Sequence, residues 1–206
     1  MKKPIKYIII ACILGISVYN SIYIKKLDEV KQTQSNASFN VKKYASSFMK
    51  NEVATLPGIE ASEFLKNINN NVKGYSEANG NKLGISNDYY FIIQGKATVV
   101  GIEAEDVIIK LTNDDTKTLK IATDFIFGNA IREGAKMANI GDFLNTMDYN
   151  NISVEINNFV RETVVPPFVK KVKEGDSIDF KGATQVNIKK PNLENLRVIP
   201  LELKIN

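Results

Sequence analysis

Arg132 and Glu133 are adjacent in the chain, and Asp142, Asn145 and Tyr149 follow within a short stretch. An arginine beside a carboxylate can hold an anionic or hydroxyl-rich ligand, because its planar fork directs two hydrogen bonds at once. The alternative reading is a structural ion pair that fixes one segment onto another. Asp142, Asn145 and Tyr149 are candidates for polar groups that orient a ligand in the same pocket. Against that stand helix capping by Asp142 and turn chemistry by Asn145. Three further clusters are weaker. Glu103, Glu105 and Asp106 fall in a tight hairpin, whereas a glycosidase needs two carboxylates facing each other across a cleft. Asn113-Asp114-Asp115 lacks the ligand spacing and the glycine of a calcium loop. Tyr89, Tyr90 and Phe91 resemble a stacking platform, but neighbouring strand residues point to opposite faces, so at least one belongs to the core.

Composition narrows the chemistry. The chain has no histidine, which removes the usual general base of serine and cysteine hydrolases and the usual zinc ligand. Its single cysteine, Cys12, excludes an intrachain disulfide. No cofactor or metal site is expected, and the protein reads as a non-enzyme. The net charge of +4 is a property of the N-terminus. All five charged residues in positions 1–26 are lysines; taking them from 27 basic residues leaves 22 against 23 acidic, a net of −1. The remainder lacks the basic footprint of a nucleic-acid binder, so no nucleic acid is expected as a partner.

The elements that must position these residues follow from periodicity. A helix is predicted over 40–56, with Asn40 as cap and Pro57-Gly58 as stop, and a second over 59–72. The glycine-rich stretch 73–88 reads as a loop. Strands are predicted over 89–103, 107–112 and 118–123. Residues 130–138 look helical. An amphipathic helix over 151–165 has Ile152, Ile156, Phe159, Val160 and Thr163 on one face and is ended by Pro166-Pro167. Strands over 176–188, bent at Gly182, and 196–205, with Pro200 at an edge or bulge, close the sequence. This order predicts an α+β fold. Its body is an OB-like five-stranded partly open barrel with a large helical insertion between strands 3 and 4. N-terminal helices pack alongside, preceded by one transmembrane helix. The domain division is 1–26 anchor, 27–88 helical stalk and N-terminal helical layer, and 89–206 barrel with insertion.

The anchor is residues 7–24, an 18-residue run without charge, flanked by Lys2, Lys3 and Lys6 and by Lys25 and Lys26. As a helix it reaches about 27 Å, close to the hydrocarbon thickness of a bilayer. It ends in two lysines with no small-residue cleavage motif, which favours an uncleaved anchor over a signal peptide. Lipidation of Cys12, after Ile9-Ile10-Ala11, is the minor alternative, since cleavage there leaves a very short apolar core. A buried soluble helix is the third. Lysine asymmetry puts the N-terminus inside, and hence the C-terminal domain outside the cytoplasm.

Several segments together resemble a bacterial family of predicted periplasmic lipoproteins of unknown function. They are YYFIIQGKATVVGI (Tyr89 to Ile102), FIFGNAIREG (Phe125 to Gly134), DFLNTMDYNNIS (Asp142 to Ser153), and the closing pair GDSIDFKGA and RVIPLELKI; KKLDEV and Leu56-Pro57 add to them. The resemblance implies a bacterial, extracytoplasmic, membrane-attached domain with no assigned activity. It also implies an accessory role beside sugar-type ABC transporter components, or the binding of a small solute. A carboxylate-dependent envelope hydrolase and a ligand-free envelope scaffold are the competing expectations.

Overall fold

The computed structural model describes residues 39–206, apart from 144 and 195. The predicted anchor over 7–24, Cys12 and the stalk lie outside the described residues. Among the described residues no helix is long and apolar enough to cross a membrane.

The barrel is built from β2 (Asp88–Ile102), β3 (Asp106–Leu111), β4 (Asp114–Ala122), β5 (Ser177–Asn187) and β6 (Arg197–Ile205), joined by a two-residue strand β1 (Ile59–Glu60) on the edge of β2. The strands β2, β3 and β4 form the expected antiparallel meander. The ring closes because β2 also pairs with β5 over Asp88–Thr98. The remaining seam, β4 against β6, is parallel and has only the pairs Lys120–Arg197 and Ile121–Val198. Five principal strands with a helical segment between the third and fourth are the arrangement predicted from element order. β1 was not foreseen.

Inside the barrel, Ile93, Ala97, Ile109, Ile121, Ile178 and Val198 have no exposed surface. Helix α2 (Ala61–Asn70) closes one end with Phe64, Leu65 and Ile68, and Phe64 meets Phe91 edge-on at 4.9 Å. Burying one such aromatic or aliphatic side chain stabilises the fold by about 1.5–3 kcal/mol. Gly182 is required where β5 bends. A Cβ there would stand 2.5 Å from the Ile199 carbonyl, at the register shift opposite Pro200.

Several expectations need correction. Residues 73–88 are not a loop throughout. Asn71 ends α2 and its side chain caps α3 (Val72–Asn79) by accepting from the Gly74 amide. The first helix, α1 (Val41–Asn51), has the predicted Asn40 cap but stops earlier than expected, before a 3-10 turn at Val53–Thr55. Tyr89, Tyr90 and Phe91 are all buried, so they form no stacking platform. The reason is that β2 is covered on both faces: Tyr89 and Phe91 point into the barrel core, while α4 (Ala130–Gly134) approaches the strand closely. At Gly134 a Cβ would sit 3.1 Å from the Phe91 carbonyl.

The insertion also differs in detail. α5 runs over Thr146–Phe159, starting earlier than expected, and packs on α1. Ile152, Ile156 and Val160 are buried as predicted, but Thr163 is exposed. Pro166-Pro167 does not end the helix. Both prolines lack an N–H, so the carbonyls of Glu162 and Thr163 lose their ordinary helical donors. The helix widens into a π-turn (Val160–Val164), in which the Val165 amide bonds the Val160 carbonyl. It then continues as α6 (Val165–Val169), with the prolines in its first turn, where a missing donor is tolerated.

Candidate functional site: a buried arginine, glutamate and tyrosine beside a cavity

The short helix α4 delivers Arg132 and Glu133 into the space between the barrel and α5. Both are buried, at 1% and 4% exposure, and so is Tyr149 at 2%. A charge in such a place must be paired, since desolvation otherwise costs several kcal/mol. Here the pairing is dense. Arg132 Nε donates to Glu133 Oε1 at 2.9 Å, and the Tyr149 hydroxyl donates to the same oxygen at 2.7 Å. Arg132 Nη1 donates to the Tyr149 carbonyl at 2.7 Å. Nη2 lies 2.8 Å from Oε1 but off the hydrogen-bonding direction, so that contact is electrostatic. The guanidinium also stacks on the Tyr149 ring, 3.7 Å from its centroid, a desolvated cation–π contact. Asn81 completes the group, donating to the Glu133 carbonyl at 2.9 Å and to Oε2 at 3.3 Å.

This geometry fixes the protonation of the phenol. Burial, followed by the hydrogen bond to Glu133, pushes the Tyr149 pKa up to about 12. At neutral pH the hydroxyl is therefore a donor and is not available as a base.

A cavity of about 490 Å³ opens beside the group. Glu133, Tyr149 and Asn81 form one wall, and Lys136, Asn139 and Asp142 are on its rim. Lys136 holds a left-handed φ of +52°, which turns the chain at the end of α4. Tyr44 on α1 pins the rim by donating to the Met137 carbonyl at 2.5 Å. Three of the five residues singled out in the sequence, Glu133, Asp142 and Tyr149, thus border one cavity. Arg132 lies behind Tyr149 and serves as the ion-pair partner. Asn145 does not join them: it is exposed and caps α5, accepting from the Asp148 amide at 2.8 Å. Asp142 caps no helix: it ends the 3-10 turn Ile140–Asp142, which Asn139 caps by accepting from the Gly141 amide, and the cap of α5 is Asn145.

Asn81 was missed because it lies in the stretch read as a loop, 52 positions from Glu133. Of the hairpin acids, Glu103 and Glu105 are exposed, Glu103 pairing with Lys120 at 3.1 Å, and Asp106 is buried with Arg197 Nε at 2.5 Å. No group of three or more acids or cysteines among the described residues is arranged to hold a metal ion.

Over residues 11–204 the chain matches the model of a family described as predicted periplasmic lipoprotein, a domain of unknown function. The protein belongs to that family. This periplasmic lipoprotein family member is also similar to a crystal structure of an OB-fold protein from Thermotoga maritima. The two share 26% identity with a TM-score of 0.74, over 82% of this chain and 99% of that one. The OB architecture predicted from strand order is therefore that of a solved neighbour. No curated protein matches the family member described here.

Proposed function

We propose that the protein is a membrane-attached, extracytoplasmic and non-catalytic module that binds a small polar solute in the cavity beside Glu133 and Tyr149, as an accessory to ABC-type uptake. The observation that carries this reading is the cavity wall. The Arg132 ion pair holds a phenol, a carboxylate and the Asn81 amide rigidly at the edge of a space of about 490 Å³, large enough for a small ligand. Non-catalysis is supported by the fixed protonation of Tyr149 and by Glu133, whose Oε1 already serves two partners.

Attachment rests on residues 7–24 as a spanning helix, with the domain outside the cytoplasm. The family description supports the extracytoplasmic side and raises Cys12 as a lipid acceptor. Metabolic labelling with a palmitate analogue, comparing wild type with Cys12→Ser, separates the two. Label lost in the variant assigns a lipid anchor; an unlabelled protein that stays in the membrane fraction assigns the helix.

The binding reading is tested by thermal-shift titration of the full-length protein in detergent against sugars, amino acids and organic acids. A saturable rise in Tm that is reduced in Asn81→Ala is the expected result. No shift with any solute, together with unchanged uptake in a deletion strain, would sink it in favour of a scaffold.

A further inference from the structure

The segment between β4 and α4 carries part of the FIFGN motif, and its backbone is held by side chains from three directions. Arg197 donates to the carbonyls of Asp124 at 2.6 Å, Phe125 at 3.1 Å and Glu105 at 3.2 Å. Arg161 donates to the Ile126 carbonyl. Asn157 donates to the Gly128 carbonyl at 2.9 Å. Phe125 has a φ of +46°, which bulky residues avoid. Such a conformation is costly and persists only where its surroundings over-determine it. Inside this frame Ile126 is fully buried, yet Phe125 and Phe127 on either side are 55% and 68% exposed. Two phenyl rings are thus held in water by a fixed backbone.

The rings border a second cavity of about 320 Å³, which shares no lining residue with the first. Its polar wall is rich in amides, among them Asn129, Gln185 and Asn187. Asn187 is positioned by donating to Asp88 at 2.7 Å and by accepting from the amides of Lys189 and Lys190 at 3.0 Å. Asn129 is half-buried, and its side chain has no hydrogen-bond partner among the described residues, so both its donor and its acceptor are open. Among the described residues no carboxylate lines the cavity. Lys190 is exposed and, among the described residues, forms no ion pair.

Each feature selects the same ligand. A planar heteroaromatic ring stacks on a phenyl face, and the contact tolerates any base because each has a π-face. A free amide matches the adjacent donor and acceptor on a base edge. An acid-free wall with one open ammonium accepts a phosphate. We infer that this cavity is a binding site for a nucleobase-bearing small molecule, a nucleoside or nucleotide, stacked on Phe127 and hydrogen-bonded by Asn129.

Isothermal titration of the full-length protein in detergent tests it, using adenosine, uridine and their 5′-monophosphates, with ribose and ribose 5-phosphate as base-free controls. Saturable binding of base-bearing compounds alone is expected. Phe127→Ala should weaken it about tenfold, the equivalent of 1.4 kcal/mol, without loss of fold by circular dichroism, because the ring is exposed. Lys190→Ala weakening only the monophosphates makes the ligand a nucleotide; equal affinity for nucleoside and monophosphate makes it a nucleoside. The inference is overturned if no base-bearing compound binds, if the base-free controls bind as well, or if Phe127→Ala leaves affinity within twofold of wild type.

Discussion

Arg132 and Glu133 are consecutive residues of one helix whose charged groups nevertheless meet, Nε to Oε1 at 2.9 Å. Adjacent helical positions ordinarily point well apart and do not pair. They do so here because α4 is only five residues long and both side chains bend toward the same buried partner, Tyr149. The pair is therefore a device for burying a carboxylate at a cavity wall, and removing the cation strands it.

Arg132→Ala should cost about 3–5 kcal/mol of stability, the range for orphaning one member of a buried pair. Urea denaturation measures it. The double variant Arg132→Met with Glu133→Gln should recover part of the loss, since no bare charge remains. A loss below about 1 kcal/mol in Arg132→Ala would show that water reaches Glu133.

The raised pKa of Tyr149 carries a pH signature. A group whose folded pKa lies above its unfolded value contributes stability that is fully present below the unfolded pKa, 10.0, and lost as pH rises toward about 12. Tyr149→Phe should remove that component. Tyr44, Tyr75 and Tyr90 are also raised, chiefly by burial. The quantity to measure is therefore the difference between wild type and variant from pH 9 to 12, which should shrink as pH rises.

Asp88 has the opposite sign. Burial pushes its pKa up, but hydrogen bonds from Asn187, Gln185 and Ser86 outweigh burial and hold it below the ordinary 3.8. Its contribution is present above 3.8 and disappears as pH falls through the lower folded value. Stability of Asp88→Asn should accordingly depend less on pH than wild type below about pH 4. Parallel slopes for the two proteins would refute the assignment.

Gly182→Ala should destabilise by about 1–3 kcal/mol, the usual cost of overpacking, because its new methyl group meets backbone at 2.5 Å. Gly101→Ala is the control in the same barrel: its nearest contact is an ordinary 3.6 Å. Comparable urea midpoints for the two variants would contradict the packing described at the bend.

Much of the barrel was legible in the sequence because strand alternation and turn chemistry are local. The strands that carry the buried Ile109 and Ile121 lie where predicted, and Gly182 and Pro200 mark the bend they suggested. The Pro166-Pro167 stop was misread, because tertiary packing of Val160, Val165 and Phe168 carries the helix past its breakers. The site was legible in part. Glu133, Asp142 and Tyr149 lie close enough in the chain for their shared cavity to be read from spacing. Asn81 and Arg197 act across tens of residues, and nothing in a single sequence reports such partners.

The parallel seam between β4 and β6 has a consequence for how the cylinder opens. Most other joints in the ring are long antiparallel ladders, but this one has two rungs, and Arg197 forms one of them while its guanidinium grips Asp106 on β3. Closure at that joint depends on a half-shielded charge pair more than on backbone ladders. High salt should therefore loosen the barrel along this line first, parting β6 from β4 while β5 stays laddered to β2.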